Sequence, residues 1–425
     1  MTQHAPFGEA LPYCEPSWYQ GAHSAYYNES HVAWRAKVRA FVEQELRPNT
    51  DKWIADPAGY PRSVHRRAYE LGIQGAIFPE RYGGTPPPGF DAFHEVILWD
   101  ELARCGGGMV FAQLSVNSMA LPPLLVAGSE ELKQRVVPAI VRGDKFISLA
   151  ISEPTAGSDI MELQTTAVKS TDGRHYVVNG SKKWITGALQ ASYMTTLVKT
   201  DPEAGVFGLS MLLVDTSLKG VKVRKMATQF DTSHSTCFVT FDDVHVPLDC
   251  LIGEEGQAFM QIVTNLNHER LVIAVSAARS ARTCYHEALK YVAQRRVFGQ
   301  NLLEHPVIQL KLATMVSDLE ALQDHIERVA FQFKCKVPDG QLGNECAMLK
   351  VRASKVFEMC AREASQLLGG SSIVKNEGKG ALVERLYREV RTTAIPGGSE
   401  EVLMAQVGKS VHKSVKKMLA NQSKL

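Results

Sequence analysis

The sequence predicts an α+β protein built from an N-terminal α-helical domain, a central antiparallel β domain and a C-terminal four-helix bundle. Strand-like runs are confined to residues 145–256, and the stretch from Gln257 to Phe298 contains neither Gly nor Pro. At 425 residues, 45% of them hydrophobic, the chain is long enough to form two or three packed regions.

The N-terminal helical region follows an irregular lead. Ser30 is predicted to cap its first helix, in which Trp34, Val38 and Phe41 recur at helical spacing and mark a buried face. A Gly- and Pro-rich loop follows, and helical patterning then resumes through Gly143. We predict these boundaries: lead 1–30, N-terminal helical domain 31–144, β domain 145–256, bundle 257–422 and C-terminal tripeptide 423–425.

The central region has the pattern of β structure, and the C-terminal region that of long helices. Strand-like runs occur at 146–152, 175–179, 193–200, 209–215, 221–226 and 237–246. The dipeptide Asn179-Gly180 between two of these runs predicts a tight hairpin. After the long helix from Gln257, further helices are predicted at roughly 306–335, 343–368 and 399–420, separated by Gly or Pro.

Charge and cysteine content exclude several functions. With 47 basic and 45 acidic residues the net charge is +2, which gives no electrostatic basis for binding nucleic acid or a membrane surface. No apolar run reaches membrane-spanning length, and the N-terminus lacks the pattern of a secretory signal. The eight cysteines are scattered without a CxxC pair, so we expect reduced, buried thiols and no metal site.

Two short stretches of the β domain contain the main functional signal. Ile151–Asp159 (ISEPTAGSD) ends in small residues that let backbone N–H groups approach a ligand closely. Lys182–Gly187 (KKWITG) places the indole of Trp184 and the hydroxyl of Thr186 on one strand, suited to a flavin ring and its edge. In this order and spacing, the two stretches resemble the flavin-binding signature of acyl-CoA dehydrogenases.

The resemblance extends from about residue 30 to 420 and includes RRVFGQ at 295–300 and QLLGG at 366–370. It implies FAD as cofactor, with contacts from Leu149, Ile151, Ser152, Gly157, Ser158, Trp184, Thr186, Arg295, Phe298, Gln366, Leu367, Gly369, Gly370, Ser399 and Glu401. Some of these contacts cross between subunits in the family, so the resemblance implies a homo-oligomer, either a dimer or a dimer of dimers. Pro306 departs from the family pattern, which often has a nucleotide-contacting Gln there.

The resemblance also implies the reaction, the conversion of a saturated acyl-CoA to a trans-2-enoyl-CoA. A base must remove the α proton, and because no side chain accepts hydride, flavin N5 must take the β hydrogen. The family carries the base either in the loop before the last helix, here Gly397, or on the long helix, here Glu269. We predict Glu269 as the base, with the glycine leaving room for its side chain. Glu400 and Glu401 are rival carboxylates, but the helix dipole accounts for acidic residues there.

Substrate contacts follow from the same resemblance. The backbone N–H of Gly397, together with a flavin hydroxyl, is expected to polarise the substrate carbonyl. Ser158, Asn267, Arg270 and Gly398 are the expected substrate contacts. The structural alternatives are that Glu269 is an ordinary helix glutamate and that Arg270 is an ion-pair partner within the bundle.

The last three residues, Ser423-Lys424-Leu425, have the sequence of a peroxisomal targeting signal that an import receptor reads; the alternative is a chance tripeptide on a basic tail. They predict a peroxisomal protein in a eukaryote, and a cytoplasmic one if the host is bacterial. Dehydrogenases of the family pass electrons to an electron-transfer flavoprotein and its oxidases to O2, and both acceptors stay open. Two other hypotheses are a non-catalytic flavoprotein scaffold, including a DNA-associated one, and a flavin oxidase or monooxygenase acting on a substrate other than a thioester.

Overall fold

A computed structural model of the chain describes residues 5–56, 60–106, 108–230 and 236–422, so the C-terminal tripeptide lies outside the described residues. Helices α1–α7 are Glu29–Phe41, Arg47–Ala55, Ser63–Glu70, Ala92–Ala103, Gly108–Ala120, Pro122–Ala127 and Glu130–Val141. Strands β1–β7 are Ile147–Ala150, Thr166–Lys169, His175–Thr186, Tyr193–Lys199, Leu209–Asp215, Val221–Lys225 and Thr236–Pro247. Then follow α8 (Ala258–Gln294), β8 (Arg296–Val297), β9 (Gln300–Asn301) and α9–α13: Pro306–Lys334, Asp339–Leu368, Ala381–Glu389, Arg391–Ala394 and Glu400–Gln422. The predicted fold class is confirmed.

The first helix begins one residue earlier than its predicted cap. The side-chain oxygen of Asn28 accepts hydrogen bonds from the N–H groups of Ser30 (3.0 Å) and His31 (3.4 Å), so Asn28 is the cap. The prediction of Ser30 in that role was wrong, because its hydroxyl instead lies 2.9 Å from the ring of His94. The predicted apolar face of this helix is buried.

Strands β1–β7 form one sheet, which is largely antiparallel. The order is β1-β4-β2-β3-β7-β6, with β5 also paired to β4, and the β1–β4 and β2–β4 pairs are parallel. Asn179-Gly180 makes no hairpin: it lies inside β3, where the register against β7 shifts. Gly180 has φ 145°, and a Cβ there would lie 2.5 Å from Thr165 Oγ1, so this glycine serves a close strand contact.

The described residues form two compact units. The bundle unit contains residues 5–39, 91–106 and 267–422; the sheet unit contains the described residues between 40 and 90 and between 108 and 266. The side chains on the two faces of β5 belong to two different apolar clusters of the sheet unit: Leu213 packs in one, and Leu212 and Val214 pack in the other. Among the described helices, none combines the length and apolar content needed to cross a bilayer.

The N-terminal lead is a packed part of the bundle unit. Glu15 is buried, and its carboxylate lies 3.1 Å from Arg39, 2.6 Å from Arg104 and 3.2 Å from Arg279. Burial alone raises the pKa of Glu15, but the three guanidinium groups outweigh it and lower the pKa to about 2. Ion pairing of this kind fixes the lead against α1, α4 and α8.

Candidate active site

Glu269 lies on α8 within the bundle unit and is 7% exposed. Burial raises the pKa of this carboxyl to about 7, although the nearby charges of His268 and Arg270 act in the opposite direction. A carboxylate that ionises near neutral pH is far more basic than an ordinary helix glutamate. Glu269 therefore has the property that a general base requires.

The predicted substrate contacts of the bundle unit gather around Glu269. Arg270 donates from Nε to the carbonyl oxygen of Gly397 at 3.0 Å and from Nη1 to Asn267 Oδ1 at 3.4 Å. Asn267 in turn donates to the carbonyl oxygen of Asp339 at 2.9 Å. The structure thus joins the helix that bears Glu269 to the turn that contains Gly397.

Position 397 requires a glycine both because of its backbone conformation and because a side chain has no room there. Its φ is 69°, a left-handed conformation, and a Cβ there would lie 2.9 Å from Ile273 Cδ1. The turn is held by Lys350, which is fully buried and donates to the carbonyl oxygens of Ala394 at 2.6 Å and Gly398 at 2.9 Å. Burial lowers the pKa of Lys350 to about 8, although the nearby Glu400 raises it.

The residues after this turn begin α13. Ser399 Oγ accepts a hydrogen bond from the N–H of Val402 at 3.4 Å, as a helix cap does. Glu401, a predicted nucleotide contact and rival base, is exposed, and Glu400 is half-buried in the first turn. Glu400 is close enough to Lys350 to raise the pKa of that amine. Glu269 is the buried carboxyl one residue from Arg270, which binds Gly397.

A half-buried ion pair that includes His268, the neighbour of Glu269 along the chain, was not evident from the sequence. His268 donates from Nε2 to Glu95 Oε1 on α4 at 2.5 Å, and the same oxygen accepts from the indole N–H of Trp99 at 3.1 Å. Burial alone lowers the pKa of His268, but Glu95 outweighs it and the pKa is raised. The two residues are 173 positions apart, so spacing gave no signal.

In the sheet unit the two predicted flavin stretches lie side by side. The N–H of Lys183 donates to the carbonyl oxygen of Ser152 at 2.8 Å. Lys182 is fully buried and donates to the carbonyl oxygen of Ile151 at 3.0 Å and to Glu153 Oε1 at 2.7 Å. Burial lowers the pKa of Lys182 to about 8 against the charge of Glu153. This buried pair fixes the first stretch on the second.

Trp184 has a left-handed backbone conformation within β3. Its φ is 68°, unusual for a bulky side chain, and the β3–β7 register shifts between Lys183 and Ile185. The indole is nevertheless 54% exposed. Backbone strain that leaves an aromatic ring facing solvent is typical of a binding site. Gly157 and Ser158 are exposed and follow the first flavin stretch's paired residues closely along the chain. Together with Trp184 they fit a flavin.

The other predicted cofactor positions are dispersed. Leu149, on β1, and Thr186, opposite Thr236 on β7, are half-buried in the sheet unit. Arg295 and Phe298 follow the end of α8, about 37 Å along that helix from Glu269 at 1.5 Å per residue. Phe298 is 96% exposed. These two residues therefore form no cluster with Glu269.

The QLLGG stretch ends α10 and begins the following 3-10 turn. Leu367 is buried, so only its backbone is available to a ligand, whereas Gln366, Gly369 and Gly370 are exposed. A Cβ added at either glycine would meet nothing within 4 Å, so the surface there is open.

A second polar cluster in the bundle unit has a structural role. His31 and His94 are buried, and each has a ring nitrogen about 3 Å from Asp91 Oδ1, at 2.9 and 3.0 Å. Asp91 Oδ2 lies 2.9 Å from Lys334, and Ser30 bonds the other nitrogen of His94. The polar atoms of this cluster are paired with one another, and these pairs link α1, α4 and α9.

Comparison with known proteins matches the whole architecture. Residues 28–144, 148–244 and 256–412 match models of the N-terminal, middle and C-terminal domains of acyl-CoA dehydrogenases. The chain is 36% identical over 416 residues to acyl-CoA dehydrogenase AFT10-1 of Alternaria alternata, covering 93% of this chain and 95% of that protein. A solved acyl-CoA dehydrogenase from Geobacillus kaustophilus is 30% identical, with a TM-score of 0.85 over 92% of this chain and 100% of that one.

An acyl-CoA dehydrogenase complexed with FAD, from Bacillus anthracis, is also similar, at 26% identity and a TM-score of 0.83 over 92% of this chain and 68% of that one. The chain belongs to the acyl-CoA dehydrogenase family. It is an FAD-dependent oxidoreductase that desaturates an acyl-CoA thioester. The predicted family, enzyme class and cofactor are confirmed.

Proposed function

We propose that Glu269 is the base of this dehydrogenase and removes the α proton of the bound thioester. The observation that supports it is a buried carboxyl with a pKa of about 7, one residue from the arginine that holds the Gly397 turn. The unprotonated carboxylate accepts the α proton, and the C–H electron pair becomes the new Cα–Cβ π bond as the β hydrogen leaves. A bound flavin supplies the acceptor for that hydride.

The turn around Gly397 provides the second catalytic element. A backbone N–H at this position donates to the thioester carbonyl and stabilises the negative charge that develops when the α proton leaves. Arg270 and Lys350 bind the carbonyl oxygens of Gly397 and Gly398, which restrains the direction of the N–H groups of this turn. Asn267, Arg270, Gly398 and Ser158 are the proposed substrate contacts.

We propose further that the enzyme is a homo-oligomer, a dimer or a dimer of dimers. Helix α13 buries only Leu403 among its described residues. It exposes the apolar side chains Val402, Met404, Val411, Val415, Met418 and Leu419. Exposed apolar side chains repeated along one helix favour its burial against another chain. Oligomers are also the rule among family members.

The Ser423-Lys424-Leu425 signal supports import into peroxisomes through its receptor. Family members pass electrons to an electron-transfer flavoprotein, and we propose the same acceptor here. Oxidase chemistry with O2 is the alternative that the targeting signal favours. The two alternatives differ in how fast the reduced enzyme reacts with air.

The test is an anaerobic titration of the FAD-loaded protein with straight, branched and aryl acyl-CoAs, recording the flavin absorption band. Bleaching by one class of thioester identifies the substrate. Slow reoxidation in air and fast reoxidation by an electron-transfer flavoprotein would support the dehydrogenase, and fast reoxidation in air the oxidase. A flavin that no thioester bleaches would contradict the proposal and favour a scaffold or a different substrate.

A further inference from the structure

We propose, on the basis of the function proposed above, that the His268–Glu95 ion pair positions Glu269 and keeps it ionised at the pH of catalysis. Neither member of the pair is among the predicted substrate or flavin contacts, and the two come from different helices, α8 and α4. His268 is a positioning residue in this scheme, because it acts on the reaction through Glu269.

Helix geometry allows the pair to act without blocking the base. Consecutive residues of an α-helix point about 100° apart, so His268 and Glu269 leave α8 in different directions. The 2.5 Å contact between His268 Nε2 and Glu95 Oε1 holds α8 against α4 at this point, and Trp99 holds Glu95 in turn. The rotation of α8 that places Glu269 in its buried position is thereby fixed.

The charges around the two residues favour opposite protonation states. His268 is influenced by three carboxylates: Glu95 on α4, Glu269 on its own helix and Asp339 at the start of α10. All three favour the imidazolium. Glu269 is influenced by the cations His268 and Arg270, which favour its carboxylate against the effect of burial. A protonated His268 thus places a positive charge one residue from the base.

Loss of that charge makes Glu269 harder to ionise. In His268→Gln the amide replaces the imidazolium, so the acid limb of the pH–rate profile moves upward by roughly one pH unit, or tenfold in rate on that limb. Glu95→Gln has the same effect, because the imidazole loses the partner that keeps it protonated. His268→Lys restores a positive charge and returns the limb toward its wild-type position.

The experiment measures proton transfer as a function of pH from about 5.5 to 9 in wild type, the three variants above and Glu269→Gln. The first readout is the rate constant of flavin bleaching by the thioester found in the titration. The second is loss of α-deuterium from that thioester on enzyme reduced beforehand with dithionite, which reports the base alone. His23→Gln, an exposed histidine of the N-terminal lead, is the matched control.

An upward shift in His268→Gln and Glu95→Gln, with the alkaline plateau kept and recovery in His268→Lys, supports the proposal. A uniform loss of rate with an unmoved midpoint overturns it and leaves the pair a structural role. If His268→Gln fails to fold, Glu95→Gln and His268→Lys decide between the same two outcomes. Normal bleaching by Glu269→Gln would instead refute the proposed base itself, so the two failures are distinct.

Discussion

Replacing Glu269 by Gln is predicted to stabilise the protein above neutral pH. The carboxyl has its pKa raised from 4.5 to about 7, so between these values the folded state holds a proton that the unfolded state has released. The free energy of unfolding therefore falls as the pH rises through this window. The penalty is complete above pH 7, and a shift of this size corresponds to about 3 kcal/mol. Glutamine carries no charge, so the variant does not have this penalty.

The assay is urea unfolding of wild type and Glu269→Gln at about pH 5 and about pH 8. The same linkage predicts that the variant gains less than about 1 kcal/mol in free energy of unfolding at the lower pH and about 3 kcal/mol at the higher pH. Glu358→Gln, an exposed carboxyl on α10, is the control and is expected to show no such pH-dependent gain. A Glu269→Gln protein that is no more stable than wild type at the higher pH would refute the reasoning. Glu269 would then be a satisfied helix glutamate.

Three further substitutions test other parts of the structure. Trp184→Gly is expected to relieve the φ 68° strain and raise the stability of the apoprotein by about 1 kcal/mol, while weakening FAD binding on the order of tenfold, measured by fluorescence titration. Lys350→Met removes two hydrogen bonds to the Gly398 turn, so kcat/KM is expected to fall on the order of a hundredfold at unchanged FAD content. Glu15→Gln leaves Arg279 and its neighbours without their shared carboxylate, and about 3 kcal/mol of stability is expected to be lost at pH 7.

Each of these expectations has a distinct contrary result. Unchanged FAD affinity in Trp184→Gly would mean that the strained indole does not serve the cofactor. Wild-type kcat/KM in Lys350→Met would mean that the turn keeps its catalytic geometry without the hydrogen bonds of Lys350. A Glu15→Gln protein as stable as wild type at pH 7 would mean that the ion pairs of Glu15 do not stabilise the bundle unit.

The helix–strand–helix order was predictable because it depends on local patterns. A long stretch without Gly or Pro predicted α8, and strand-like runs predicted β4, β5, β6 and β7 at nearly their observed bounds. Strand β2 was not predicted, and β3 continues to Thr186, beyond its predicted end at Asn179. Details set by neighbours were not predictable. Asn179-Gly180 has the local preference of a hairpin, but tight contact with Thr165 and pairing with β7 keep it extended within β3.

The same distinction applies to the site. Glu269, Arg270 and Gly397 were named from the resemblance, and the structure brings them together within one unit. The His268–Glu95 pair escaped notice because its partners are distant in sequence, and a lone histidine or glutamate on a helix gives no signal of pairing. The requirement for glycine at 397 likewise follows from a backbone angle that the sequence alone does not specify.

The most direct test of Glu269 as the base is rapid anaerobic mixing of wild type and Glu269→Gln with the acyl-CoA that bleaches the wild-type flavin. We predict that the variant binds FAD and perturbs the flavin band on adding the thioester, yet bleaches on the order of a thousandfold more slowly, since a positioned base contributes a factor of this size. Bleaching of the variant at the wild-type rate would contradict the account.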